Sequence, residues 1–573
     1  MTKNMRTAFW YLRRLTLKNR FQEFLTIRGF SLDKLADRSS QNEKQADSEF
    51  LEGVVCQIQD LKENEMKTVE LEEHKVLLVK QNGKISALGS KCTHYGAPLV
   101  SGALGDGRIR CQWHGACFNL ETGDIEDFPG MDSLPCYKVT VEDGNVKVRA
   151  KRAELISNKR VKSLGKKSHF TRERFVVIGG GPSGATAVEA LRQEGFTGEI
   201  DFVMKENYLP YDRVKVSKQM DFDIIKAQFR DDQFYKNHDI NVLKGVAATA
   251  VDTSNKSVSL SNGQEIKYDK LYIATGCNPR KPPCPGNTAK NVCIFKDYED
   301  AAYVYPKLTP ETEVVVVGSS FIGMEAASYV VNKVKSVTVI GRGAVPFRSS
   351  WGNRIGAAIL KMFEGKGVKY VANSGIKTIN ENEQGAVSSV ELTDGTILKC
   401  DFLFCGIGSN FATDFLEGSG INVRPDGSVE VNEYLQTNIA DVYVGGDIAY
   451  APVWSHHNQK SAIGHYGLAQ YHGRSAALNM IGKPTPIKAV PYFWTMLFGK
   501  GFRYAGHGKY DDIVYAGDVE ELKFMAFFLD GDEVIAVLSC GMDPLVSKFA
   551  ELLAQDKKLY RADLKDDPLA WTK

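Results

Sequence analysis

Residues 175–184 read FVVIGGGPSG, an apolar strand running straight into Gly179-x-Gly181-x-x-Gly184, and the next stretch, ATAVEALRQEG, continues with helical periodicity. In that context the glycines serve a physical purpose. They let backbone approach a pyrophosphate at a helix N-terminus, where unpaired N–H groups and the helix dipole favour negative charge. A second strand, EIDFVM, ends near Glu206, 22 residues beyond Gly184, where a carboxylate is well placed to accept hydrogen bonds from ribose hydroxyls. The spacing predicts a dinucleotide-binding βαβ unit.

The pattern then recurs. VVVVGSSFIG at 314–323 echoes FVVIGGGPSG, and DFLFCGIG at 401–408 echoes DKLYIATG at 269–276. Such self-similarity predicts two nucleotide-binding units, the second inserted into the first. The first is expected at 171–300 and again at 398–485, and the second at 301–397. The second turn differs at its middle position, where Ser320 replaces glycine and a hydroxymethyl group crowds the closest approach to a pyrophosphate, which predicts weak nicotinamide affinity. The strand after it ends in Gly341-Arg342 instead of an acid; an acid binds the 2′-hydroxyl of NAD, and an arginine accommodates a 2′-phosphate.

With LPYDRVKVSK at 209–218, YDKLYIATG at 268–276 and VYVGGD at 442–447, residues 171–573 resemble the FAD-dependent pyridine nucleotide reductases, in the branch of the ferredoxin reductases and the apoptosis-inducing-factor group. That resemblance implies that Gly179, Gly181, Gly184 and Glu206 hold the adenosine side of FAD. It places Arg213 and Lys218 along the flavin and Asp447 on the ribityl chain. Gly318, Gly323 and Arg342 are left for NAD(P)H. It also pairs Glu325 with Lys218 beside flavin and nicotinamide, where a fixed cation favours the reduced anionic flavin. Departures are visible too. Val214, Lys215 and Val216 replace the family's prolines and leucine, and in PYFWTMLFG at 491–499 Met496 and Leu497 replace Asp-Gln. His465 falls on a position near the flavin with Gly464 in place of the neighbouring acid, and an ordinary packed histidine reads the same way. Between Gly184 and Cys277 there is no cysteine, and Cys277 and Cys284 lack CxxC spacing, so thiol-disulfide catalysis is disfavoured.

Upstream, Cys92-Thr93-His94 is followed after sixteen residues by Cys111-Gln112-Trp113-His114, with Gly96 and Gly115 close behind the histidines. One thiolate and one imidazole on each of two loops suit a [2Fe-2S] centre in which imidazole lowers the cluster's negative charge and raises its potential. Two Cys and two His also make a tetrahedral zinc set. Zinc modules usually place Cys with Cys and His with His, which these loops do not. CTHYGAPL and CQWHGACFNLETGDIEDFP resemble the Rieske domain family over residues 50–150. The resemblance implies that Cys92 and Cys111 hold one iron and His94 and His114 the other. High-potential members carry one more cysteine on each loop, joined as a disulfide. The first loop here has none, so Cys117 lacks that partner and a lower-potential, ferredoxin-like centre is expected.

At 573 residues the chain is too long for a single core. A hydrophobic fraction of 43%, 25% charged residues and a net charge of +2 give no field to recruit nucleic acid, and no apolar run reaches the roughly 18 residues needed to span a bilayer. Eleven cysteines without CxxC spacing fit a reducing compartment. The first 28 residues hold seven Lys or Arg against Glu23 alone, the composition of a mitochondrial presequence and equally of a cytoplasmic basic extension. Residues 1–49 read as this segment plus a linker. Residues 151–170 read as a basic linker within RAKRAELISNKRVKSLGKKSHFTRER, which holds ten basic residues and two acids. Residues 486–573 read as an α+β domain whose apolar strands form its own core or a dimer surface, the former being favoured; monomer and homodimer both stay open.

The expected fold is multidomain: a small all-β Rieske domain, two α/β Rossmann-like domains for FAD and NAD(P), and a C-terminal α+β domain. The expected function is NAD(P)H oxidation by a flavoprotein that feeds a built-in [2Fe-2S] cluster and then an unidentified protein or small-molecule acceptor. A redox-responsive, pro-apoptotic signalling protein controlled by nicotinamide binding is the alternative.

Overall fold

The computed structural model describes residues 49–572, so the basic N-terminal segment lies outside the described residues. The chain forms two compact units. One ends at Ser90 and resumes over Pro135–Arg160; the other comprises Lys91–Leu134 together with the described residues from Val161 onward.

The first unit is a six-stranded antiparallel sheet in the order Phe50–Gln57, Asn145–Lys151, Cys136–Glu142, Lys84–Gly89, His74–Gln81, Glu65–Leu71. Its strands alternate as a half-buried sheet must: Val146, Val148 and Ala150 enter the core between Lys147 and Arg149. This sheet carries the expectation for residues 50–150 further. Lys151 ends the last strand, and Arg152–Ser157 forms a short helix that buries Leu155 in the same core. The expected linker at 151–170 therefore starts too early, because one buried leucine draws the basic stretch onto the sheet.

Within the second unit, residues 91–134 form a lobe around the four-stranded antiparallel sheet Ala103–Leu104, Arg108–Arg110, Cys117–Asn119, Ile125–Asp127. Two five-stranded sheets follow. The first aligns Ile240–Leu243, Glu199–Val203, Arg174–Ile178, Lys270–Ile273 and Val442–Val444 in parallel. The second aligns Val292–Cys293, Phe402–Cys405, Glu313–Val317, Ser336–Ile340 and Val368–Val371, also in parallel. Both faces of such sheets are covered, which is why their strands read as continuous apolar runs. The insertion expected from the repeat is present, but its borders move. Val292–Cys293 and Phe402–Cys405 belong to the second sheet, so 301–397 was too short for the inserted domain and 398 too early for the return. The border is the antiparallel pair Cys277–Pro279 with Ser409–Phe411, where the chain crosses out and back.

The C-terminal domain is a five-stranded antiparallel sheet, Tyr492–Leu497, Lys500–Gly506, Glu533–Cys540, Lys523–Asp530, Asp512–Asp518, backed by the helix Leu545–Ala554. In Lys523–Asp530, Met525, Phe527 and Leu529 pack with Phe549 and Leu553 of that helix, while Phe524, Ala526 and Phe528 join the core of the inserted domain. The apolar strands are therefore core, as favoured. Among the described residues no helix is long and apolar enough to cross a membrane.

Candidate electron-transfer site

The two glycine turns are built alike. Gly179 has φ +119°, and a Cβ there would lie 2.2 Å from the Ala274 carbonyl; Gly318 has φ +104°, and a Cβ would lie 2.2 Å from the Gly406 carbonyl. A Cβ on Gly184 or Gly323 would likewise lie 2.0 or 2.2 Å from the carbonyl of the first glycine of its own turn. No side chain larger than hydrogen fits those four positions. Gly181 is different, since a Cβ on it meets nothing within 4 Å, and Ser320 occupies the equivalent place in the second turn. The open cradle at Gly181, at the start of helix Pro182–Gln193, fits a pyrophosphate.

Around the first turn, Arg213 is half-buried, donates to Glu206 at 2.6 Å and reaches toward the Gly180 carbonyl at 3.4 Å. Tyr211 adds a hydrogen bond to Glu206 at 3.1 Å. Asp447 is the middle residue of the short helical turn Gly446–Ile448; burial pushes its carboxyl upward, and the Cys277 thiol hydrogen-bonds to it. Beside it, His472 Nδ1 accepts from the Gly446 N–H at 3.2 Å and is pushed down to about 4 by burial. His465 is likewise pushed down to about 3 and packs against Phe493 with ring centroids 5.2 Å apart. Burial also lifts the Cys277 thiol to about 12, away from the thiolate that disulfide exchange needs.

Lys218 and Glu325 come together at 2.8 Å, as the resemblance implied. Glu325 is buried, and it accepts two further hydrogen bonds, from Ser217 Oγ and from Thr495 Oγ1, each 2.6 Å. Three donors on one carboxylate fix the lysine in place. The sequence-replaced stretch Val214 to Val216 does not loosen this corner, because Lys215–Lys218 forms a helical turn and buries Val216. Arg342 lies exposed just past the end of Ser336–Ile340 and makes no ion pair among the described residues.

In the lobe, the two loops repeat one geometry: Cys92 N–H donates to the Ala97 carbonyl and Gly96 N–H to the Cys92 carbonyl, matched by Cys111 to Ala116 and Gly115 to Cys111. Gly96 and Gly115 have φ +76° and +81°, which close these turns. The sulfurs of Cys92 and Cys111 share a hydrogen bond, and each accepts two backbone N–H groups, from His94 and Tyr95 and from Trp113 and His114. His94 Nδ1 and His114 Nδ1 lie 3.0 Å apart. Burial, together with His94, Arg503 and Lys218, pushes His114 far below the ordinary histidine range, which keeps it neutral as a metal ligand must be. No group of three or more metal-binding side chains converges among the described residues. Sulfurs paired with sulfurs and imidazoles with imidazoles fit two irons, with sulfur-directed N–H groups favouring negative charge there; they do not fit one tetrahedral zinc.

Residues the sequence reading passed over join the two regions. In the strand Tyr492–Leu497, Trp494 stands beside His114 and His94, with ring centroids 4.6 and 6.0 Å away, while its neighbour Thr495 bonds Glu325. Phe493 points the same way as Thr495 and packs on Phe321 of the helix Phe321–Val330 at 4.4 Å. Period-two alternation was the signal available for this split. From the lobe, Tyr95 stacks on His94 at 4.0 Å and hydrogen-bonds Asp212 of the LPYDRVKVSK loop, and Arg230 pairs with Asp132 at 2.8 Å.

The pattern of the pyridine nucleotide-disulphide oxidoreductases matches residues 173–473, that of the Rieske [2Fe-2S] domain residues 52–138, and that of the reductase C-terminal domain residues 492–570. The chain belongs to the pyridine nucleotide-disulphide oxidoreductase family. Apoptosis-inducing factor 3 of Mus musculus is 41% identical over 90% of this chain and 86% of its own length. Rubredoxin-NAD(+) reductase of Ectopseudomonas oleovorans is 29% identical over 63% of this chain and 94% of its own. A solved putidaredoxin reductase, in covalent complex with putidaredoxin, shares the fold at a TM-score of 0.66 and 24% identity, over 70% of this chain and 97% of its own. This oxidoreductase is thus an FAD-dependent, NAD(P)H-using reductase module, similar to ferredoxin reductases, carried on one chain with a Rieske [2Fe-2S] domain.

Proposed function

We propose that this chain takes hydride from NAD(P)H at its reductase module and delivers the electrons singly to its own cluster lobe, from which a separate acceptor draws them. A bound flavin supplies the exchange between an electron pair and single electrons. The observation that carries the reading is the strand Tyr492–Leu497. Consecutive residues of it touch the imidazoles of the lobe and the Lys218–Glu325 pair of the reductase, so both centres are held by one rigid element.

In this reading Cys92 and Cys111 hold one iron and His94 and His114 the other. Gly179, Gly181, Gly184, Glu206, Arg213 and Asp447 hold FAD, and Gly318, Gly323 and Arg342 hold the nicotinamide dinucleotide. Lys218 sets a positive charge beside the flavin, and Glu325, with Ser217 and Thr495, orients it. No protein proton donor is needed for a hydride step, so positioning and charge are what the side chains contribute. The absence of an additional cysteine from the first loop supports a lower-potential centre, and a midpoint well above zero volts contradicts it.

Electron paramagnetic resonance on anaerobic holoprotein reduced only by NADH or NADPH tests the proposal. A Rieske-type signal appearing on the timescale of flavin bleaching supports it. A stable flavin–nicotinamide complex with a silent cluster overturns it in favour of a redox-responsive switch.

A further inference from the structure

Helix Leu545–Ala554 faces the cluster lobe with a buried carboxylate. Glu551, 3% exposed, accepts from Arg110 Nε on one oxygen at 2.6 Å and from Arg108 Nε on the other at 2.9 Å. The Arg110 guanidinium, 1% exposed, spends its remaining arms inside the lobe: Nη1 donates to the Gly115 carbonyl at 2.9 Å, and Nη2 pairs with Asp127 at 2.5 Å. One planar cation thus ties the C-terminal helix, the Cys111–Gly115 loop and the last strand of the lobe in fixed geometry. On the same helix, Ser547 Oγ donates to the backbone carbonyl of Cys111 itself, at 3.0 Å.

The fit leaves no slack. A Cβ on Gly105 would lie 2.2 Å from Glu551 Oε2, and one on Gly115 would lie 2.6 Å from the Tyr492 ring. Burying Arg110 and Glu551, with Arg108 and Asp127 half-buried beside them, is expensive, and apolar side chains of similar volume often hold two surfaces together at least as well. What a hydrogen-bonded charge network adds is a single orientation. Orientation is what electron transfer requires, because its rate falls steeply with the gap between centres.

Resting on the functional reading above, we propose that Glu551 and Arg110 are positioning residues for electron transfer. They lock the cluster lobe in register with the reductase, so a side chain with no part in hydride transfer controls the rate at which the cluster is filled.

The test is stopped-flow reduction of anaerobic holoprotein by NADH and by NADPH, following flavin and cluster bands separately, with amide hydrogen exchange over residues 108–117 as a second readout. Glu551→Gln is expected to leave the flavin rate within twofold of wild type. It should slow cluster reduction at least tenfold, speed exchange over 108–117, and preserve the Rieske signal under dithionite. Ser547→Ala, a near-isosteric change that also serves should Glu551→Gln fail to fold, is expected to slow cluster reduction about threefold. Cluster rates and exchange equal to wild type in the folded variants overturn the lock. A wild-type cluster that nicotinamide never reduces removes the functional reading instead, and the exchange comparison then decides the lock by itself.

Discussion

Lys218 is a single ammonium whose counter-charge is itself held by two hydroxyl donors. Glu325 is held by Ser217 and Thr495, so replacing Lys218 leaves a buried carboxylate without its counter-charge, and replacing Glu325 frees the lysine. Lys218→Ala is expected to slow anaerobic flavin reduction at saturating nicotinamide at least tenfold, about 1.4 kcal/mol or more in barrier, and to lower the flavin midpoint potential. An unchanged potential would remove the electrostatic role given to this residue. Arg342 offers a second test at this scale. Exposed and unpaired among the described residues, it is free to meet a 2′-phosphate. Arg342→Ala should lower kcat/KM for NADPH about tenfold or more and leave that for NADH nearly unchanged; a wild type that strongly prefers NADH refutes the assignment.

The strand Tyr492–Leu497 makes its prediction as an element. Side chains on a strand alternate, so substitutions one residue apart should report on different steps. Trp494→Phe withdraws the indole from the imidazoles and should slow cluster reduction severalfold while sparing the flavin. Thr495→Val removes one of three donors to Glu325 and should slow flavin reduction about three- to tenfold, with the cluster's own signal untouched. Rapid-mixing traces read at the two sets of bands separate the outcomes, and equal effects of both changes on both steps would show that the alternation is not functional. At this scale the sequence was only half legible. PYFWTMLFG stood out as an aromatic segment, and its apolar residues announced a strand. Which face meets which partner depends on residues more than a hundred positions away.

Across the whole molecule, buried neutral histidines contribute to the response to acid. Burial pushes His472 down to about 4 and His465 down to about 3 from the ordinary 6.5. Between those values the unfolded chain binds more protons, so their contribution is intact above about pH 6.5 and is lost as pH falls toward 4. For His472, 3% exposed, the downward shift from 6.5 to about 4 corresponds to about 3 kcal/mol at about 1.36 kcal/mol per unit. Urea midpoints measured from pH 7.5 to 4.5 should therefore fall, and His472→Asn should flatten the fall. A variant as acid-sensitive as wild type would place the effect elsewhere.

Both glycine turns, the insertion of one nucleotide unit into the other and the matched Cys-x-His and Cys-x-x-His loops of a Rieske domain were legible in the sequence alone. Each is a local demand: glycine where a Cβ would strike a carbonyl, paired sulfur and imidazole donors where iron is to be held. The domain borders near 292 and 402, the helix hidden in the basic stretch after Lys151, the meeting of Trp494 and Glu551 with the cluster lobe and that of the lobe's Tyr95 with Asp212 were decided only by tertiary structure. Strand order, the partner of a lone buried leucine and the counter-charge of Arg110 are set by burial between segments up to several hundred residues apart, and no local pattern encodes such a pairing.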